Sequence, residues 1–162
     1  MRAMMNVRLI TLGTLKEAYL RDAAAEYEKR LSAFCRFESV QLKEERLYDD
    51  PSESEIKNAL DKESDKILAE IPPRAFCVAM CVEGKQLSSE EFAEKISSVA
   101  NTTSDICFII GSSFGLSERV KQRADMRLSV SKLTFPHQLM RVVLLEAIYR
   151  AFNIQKGTKY HK

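Results

Sequence analysis

Leu128-Ser-Val-Ser-Lys-Leu-Thr-Phe-Pro-His-Gln-Leu-Met-Arg-Val-Val-Leu-Leu-Glu-Ala-Ile-Tyr-Arg150 is the stretch that decides how this chain is built. At its start Met126, Leu128 and Val130 alternate with Arg127, Ser129 and Ser131, the pattern of a half-buried strand. Pro136 stops that run, because proline lacks a donor and pushes Phe135 out of helical space. A helix must follow, from about Gln138 to Phe152, and its only charges are Arg141, Glu146 and Arg150. At about 100° per residue Arg141 points nearly opposite to Arg150, so no polar stripe forms. A helix apolar on nearly all sides needs cover on nearly all sides. In a chain of 162 residues the expected cover is a second copy, giving a homodimer, and the alternative is a central helix of a monomer core.

Upstream, strand and helix patterns alternate. Val7 to Leu12 reads as a strand closed by Gly13, and Leu20, Ala23, Tyr27, Leu31 and Phe34 recur at helical spacing. Phe37 to Leu42 is a more polar strand suited to a sheet edge. Ser52 with Glu55, and Ser88 with Glu91, carry the capping-box pattern ahead of two further helices; Pro72-Pro73 ends the first of them. Ala75 to Val82 and Ile106 to Ile110 are uninterrupted apolar runs, as strands covered on both faces are, and Gly84 reads as a turn. Leu116 to Ala124 completes the series as a short helix. Five strands alternating with five helices predict one α/β domain over residues 1–162, a mostly parallel sheet with helices on both faces.

The formal charge of +2 is too small to indicate nucleic acid by itself, but its distribution is uneven. Lys43 to Glu55 holds six acidic side chains, whereas Arg150 to Lys162 holds four basic ones and no acid. The N-terminal residues lack the apolar core of a signal peptide, and no run approaches membrane-spanning length, so a cytoplasmic protein without membrane contact is expected. Met4 or Met5 is an alternative start, with the residues before it a disordered extension. Cys77 and Cys81 lie about 13 Å apart along one strand, too far to bridge or to chelate one ion. With Cys35 and Cys107 they read as buried, reduced thiols, and His137 and His161 add no ligand spacing, so no metal is expected.

Several motifs in fixed order carry a family likeness: Ala25-Glu-Tyr-Glu-Lys-Arg-Leu31, Asp61-Lys-Glu63, Gly84-Lys85, Ile110-Gly-Ser-Ser-Phe-Gly-Leu116, Ser131 to Arg141, Glu146 with Tyr149-Arg150-Ala151, and the terminal Tyr160-His161-Lys162. Over essentially its whole length the chain resembles the RlmH family, ribosomal large-subunit pseudouridine methyltransferases of the SPOUT class. The resemblance implies a C-terminal trefoil knot in the segment after Ile106. It implies S-adenosyl-L-methionine held by Met80, Gly111 and the run Val130-Ser131-Lys132-Leu133-Thr134-Phe135. By the residues alone, Gly111 and Gly115 after a parallel strand are equally an ordinary tight turn. The chain departs from the family pattern at Ser112, commonly a second glycine; at Cys81, commonly acidic; and at Ala147, often Gln.

The implied reaction is methyl transfer to N3 of a pseudouridine in large-subunit (23S) rRNA, on assembled ribosomes. It requires removal of a weakly acidic N3 proton, in-line approach to the methyl carbon and stabilisation of the anion. Arg141 is the candidate for the anion or a phosphate, its alternative being an ion pair with an acid such as Glu146. His161 is a candidate base with Tyr160 stacking beside it; Arg150 and Lys162 are candidate RNA contacts. His137, at the helix start, is the rival base or a capping residue. Two other classes compete. A non-catalytic ribosome-assembly factor would have a degraded cofactor loop, and a dinucleotide oxidoreductase would need a glycine fingerprint that this chain lacks.

Overall fold

The computed structural model describes residues 4–162, and the expected extension ahead of Met4 lies outside the described residues. Ten elements follow in strict alternation: β1 (Asn6–Leu12), α1 (Ala18–Leu31), β2 (Arg36–Leu42), α2 (Glu53–Glu70), β3 (Phe76–Lys85), α3 (Ser89–Val99), β4 (Asp105–Ile110), α4 (Glu118–Arg123), β5 (Met126–Leu128) and α5 (His137–Lys156). The strands form one sheet in the order β2-β1-β4-β3-β5, and every pairing is parallel rather than most of them. The polar strand β2 is indeed an edge.

Alternation along the strands sorts the core into two layers. Val7 and Leu9, Val78 and Met80, and Ile106, Phe108 and Ile110 face α1, α3 and α5. Ile10 and Leu12, Cys77 and Ala79, and Cys107 and Ile109 face α2 and α4. Phe108 is completely buried and meets Phe92 of α3 edge-on at 6.0 Å. Burial of one such side chain stabilises the fold by roughly 1.5–3 kcal/mol. Both capping boxes form, Ser52 with Glu55 and Ser88 with Glu91, each closed in both directions.

Two details depart from the sequence reading. Strand β5 ends at Leu128, short of Val130, because the Ser129 hydroxyl donates to the Ser131 carbonyl at 2.8 Å and bends the chain out of the ladder. Gly84 is no turn. It lies in an irregular extension of β3 beside β5, where a Cβ would sit 2.7 Å from the Leu128 backbone, so glycine is needed for close approach.

Helix α5 starts at His137 and runs four residues past Phe152 to a left-handed Gly157 cap. Leu144, Leu145, Ile148, Ala151 and Phe152 are buried against the sheet layer. On the opposite side Leu139 is 37% exposed and Val143 is half-buried. Among the described residues no helix is long and apolar enough to cross a membrane.

Candidate functional site

Parallel strands bring all their carboxyl ends to one edge, and there the segments after β3, β4 and β5 enclose a cleft of about 740 Å3. That volume suits a small-molecule cofactor. Its floor is the turn after β4. Gly115 donates its amide to the Ser112 carbonyl at 2.8 Å and takes φ +83°. A Cβ on Gly111 would lie 2.4 Å from the Gly115 carbonyl oxygen, so glycine at 111 is required for the turn to close on itself. Gly111→Val would therefore disturb the loop as well as fill the cleft; the two effects are not separable by that substitution.

Ser112, at the position where the RlmH pattern has glycine, needs no positive φ, and its buried hydroxyl donates to Glu63 Oε1 at 3.1 Å. Glu63 of α2 is 2% exposed, and its other oxygen accepts the Glu45 amide at 3.0 Å. Burial pushes its carboxyl above the usual range, against the pull of these two bonds. In the sequence Asp61-Lys-Glu63 is only a motif of the family likeness, and nothing in three adjacent charged residues marks Glu63 as buried.

Seven of the eight residues named for the cofactor line this one cleft: Met80, Gly111, Val130, Ser131, Leu133, Thr134 and Phe135. Lys132, exposed, does not line it. Apolar walls come from Met80, Val82, Leu133, Phe135 and Met140, and the Ser131 hydroxyl accepts the Leu133 amide at 3.0 Å, shaping the wall. Helix α5 opens onto the cleft with Pro136 as its N-cap and no side-chain cap, which leaves its first amides for a polar ligand group. His137 lines the cleft but caps nothing, so the capping alternative does not apply to it. Cys81 and the Glu83–Lys121 ion pair complete the rim. An apolar slot with backbone donors, acceptors and one uncapped helix start fits the adenosine and amino-acid parts of S-adenosyl-L-methionine.

Arg141 is elsewhere. It is 3% exposed and donates to the Gly13 carbonyl at 3.0 Å, while its Nε and Nη1 find no partner. Its charge is felt by Glu28, not Glu146; Glu146 pairs with Arg150 at 2.7 Å. The tail is elsewhere too. Tyr160 donates to Glu146 at 3.2 Å and meets Tyr149 edge-on at 4.8 Å, and burial raises its phenol to about 12. Arg150 stacks over the Tyr160 ring at 4.8 Å, and Lys162 is exposed. None of Arg141, Arg150, Tyr160, His161 and Lys162 lines the cleft. The cleft opens at the first turn of α5, whereas the tail folds back on Glu146, Tyr149 and Arg150 in the middle of that helix, ~14–20 Å from His137. Among the described residues no cluster of His, Cys, Asp and Glu is arranged to hold a metal ion.

With this geometry in view, comparison with known proteins is decisive. The family model described as "Predicted SPOUT methyltransferase" matches residues 5–161. The chain belongs to the SPOUT methyltransferase family. Within that family it is 54% identical over 159 residues to the ribosomal RNA large subunit methyltransferase H of Streptococcus thermophilus, covering 98% of this chain and 100% of that protein. The protein of the same name from Leuconostoc mesenteroides is 50% identical over the same shares. These relatives place the chain in the RlmH branch of the family. The fold recurs in the crystal structure of a probable methyltransferase from Bordetella pertussis, at TM-score 0.60 and 15% identity over 90% of this chain and 93% of that one.

Proposed function

We propose that this SPOUT protein, a single domain over residues 1–162, methylates N3 of a pseudouridine in 23S rRNA of assembled ribosomes in the cytoplasm, with S-adenosyl-L-methionine as donor. The observation that carries this reading is the convergence of Met80, Gly111 and the 130–135 segment on one cleft at the carboxyl edge of the sheet. The names of the full-length relatives supply the substrate class. The bound cofactor supplies an electrophilic methyl group. The chain's own residues hold and exclude: Met80, Leu133 and Phe135 cover an adenine, and the backbone of residues 111 and 130–134 reads its polar edge. The trefoil knot belongs to this reading as what the SPOUT likeness implies, and segments 110–116 and 129–137, on either side of α4 and β5, wall the same cleft.

The homodimer also belongs to it. Tyr160, His161 and Lys162 line no part of the cleft of their own chain. Tyr160 and His161 fold back on Glu146, Tyr149 and Arg150, ~14–20 Å along α5 from His137 at the cleft mouth; in this reading they act at the cleft of a second copy. The face of α5 with exposed Leu139 and half-buried Val143, together with Val82, Phe114 and Leu133 around the cleft mouth, is the surface that a second copy would cover. In such an assembly His161 or His137 takes the N3 proton, Tyr160 stacks on the base, and Arg150 and Lys162 meet phosphates. Arg141, buried under Gly13, acts from below by fixing the loop after β1 and by its positive charge. The test is transfer of tritiated methyl from S-adenosyl-L-methionine to assembled ribosomes and to free rRNA, with mapping of the modified base. Label on a base other than a pseudouridine, or in neither substrate, overturns the reading.

A further inference from the structure

A second cleft, of about 680 Å3, lies on the same edge of the sheet, below the ends of β1 and β2 and against α2. It shares Ser112, Ser113 and Phe114 with the cofactor cleft, so the turn after β4 is a common wall. Four cationic side chains line it, Lys16, Lys43, Arg46 and Lys66, with three carboxylates, Glu44, Glu45 and Glu63. Local bonds dispose of most of the acid. Glu45 is paired with Lys66 at 2.9 Å. Both oxygens of Glu63 accept hydrogen bonds, and the group is buried. Lys16, Lys43 and Arg46 are exposed and have no side-chain partner among the described residues, against Glu44 alone. The six acids between Lys43 and Glu55 do not reverse this, because Asp49, Asp50, Glu53 and Glu55 lie outside the cleft. An independent sign of the field is Glu45 itself: Lys66 holds its carboxyl below the usual range, with Lys62 and Lys43 adding to the pull. On the shared wall Phe114 is 46% exposed, an apolar ring set beside the free cations.

We infer that this second cleft takes the backbone of the single-stranded RNA that flanks the target nucleotide, with phosphates at Lys16, Lys43 and Arg46 and one base on the Phe114 ring. Phosphate contacts from flexible lysines position a strand without reading its sequence, and an exposed aromatic ring supplies sequence-tolerant stacking. A strand laid in this cleft passes over the Ser112–Phe114 turn directly into the cofactor cleft. The chain's modest net charge is then no obstacle, because the positive side chains are gathered where the strand runs.

The inference rests on the proposed rRNA substrate, and its test separates the two. Co-sedimentation of the full protein with ribosomes, across a salt series, reads binding without reference to methylation. The combined Lys16→Gln, Lys43→Gln and Arg46→Gln variant should bind at least about 10-fold more weakly, and the slope of log affinity against log salt should shrink by about 0.7 for each phosphate that is no longer neutralised. Calorimetric affinity for S-adenosyl-L-methionine should be unchanged. A charge-matched control, Lys29→Gln, Arg74→Gln and Lys95→Gln, should leave binding near wild type. Equal losses in both triple variants, or wild-type affinity and salt slope in the cleft variant, overturn the inference. Failure of the wild type to methylate ribosomes that it binds overturns the proposed reaction instead.

Discussion

Arg150 Nη1 lies 3.1 Å from Nδ1 of His161. An arginine N–H only donates, so Nδ1 accepts, the ring proton sits on Nε2, and Nε2 donates to Glu90 at 2.7 Å. Both ring nitrogens are thus occupied within the protomer. For His161 to take a proton from a substrate base, the Arg150 contact has to open first.

Arg150→Met removes that contact together with the stacking on Tyr160 and the pair with Glu146. Methyl transfer to ribosomes should fall by about 10-fold or more, about 1.4 kcal/mol or more in transition-state stabilisation, with cofactor affinity unchanged. Deleting Tyr160 to Lys162 should abolish transfer on the same terms. Full activity in both variants would show that the tail takes no part in the reaction.

Cys81 is half-buried on the rim of the cofactor cleft, whereas Cys35, Cys77 and Cys107 are buried with thiols pushed to about 12, 11 and 12. Iodoacetamide on the native protein should therefore modify Cys81 alone, and S-adenosyl-L-methionine should slow the modification. Mass spectrometry of the alkylated peptides checks both points; labelling unaffected by the cofactor would remove it from this cleft.

The Glu63 carboxyl, raised by burial above 4.5, binds its proton more readily in the folded than in the unfolded chain. Its favourable contribution to stability is complete below the unfolded value and is lost as pH rises through the folded one. Glu63→Gln has no such loss. The melting temperature of the variant relative to wild type should therefore climb as pH rises above 4.5. Glu83, held below the usual range by Lys121 and remote from Glu63, acts with the opposite sign in both proteins and cancels in the difference. A difference that stays flat with pH would show that the buried acid is not raised.

Val143, half-buried on the outer side of α5, is the position for testing assembly. Val143→Glu should weaken self-association by about 100-fold or more, about 3 kcal/mol or more, as read by light scattering across a dilution series. The secondary structure should be unaltered by circular dichroism. Monomeric wild-type protein with normal activity would overturn the dimer.

The fold is legible in the sequence because its signals are local. Strand runs of five to eight residues, two serine–glutamate capping boxes and Pro136 each act within a few residues, and all ten elements follow from them with boundaries off by a few positions. What escapes depends on approach between distant segments. Gly84 looks like a turn until β5 is laid beside it, and Gly111 looks like cofactor clearance until the Gly115 carbonyl is placed 2.4 Å from its missing Cβ. The cofactor segments emerge through family likeness; spacing alone gives only two glycines after a strand. Periodicity sets Arg141 and Arg150 on opposite sides of α5, but it does not say which side is the interior. Glu63 is missed because burial of a carboxylate is decided by partners 18 and 49 residues away, the Glu45 amide and Ser112.

Helix α5 carries the cofactor cleft at its first turn and the Tyr-His-Lys tail against its middle, so that the two do not meet within one chain. On the composite reading, each working centre draws its cleft from one copy and its tail from the other. A protein lacking its tail and a protein crippled in its cleft, both dead alone, then rescue one another on mixing: one pairing of cleft and tail is doubly broken and the other is whole. About a quarter of wild-type activity from two inactive parents is the signature that this arrangement predicts, since half of the dimers are mixed and each mixed dimer holds one whole centre. No arrangement with cleft and tail in the same chain would produce it.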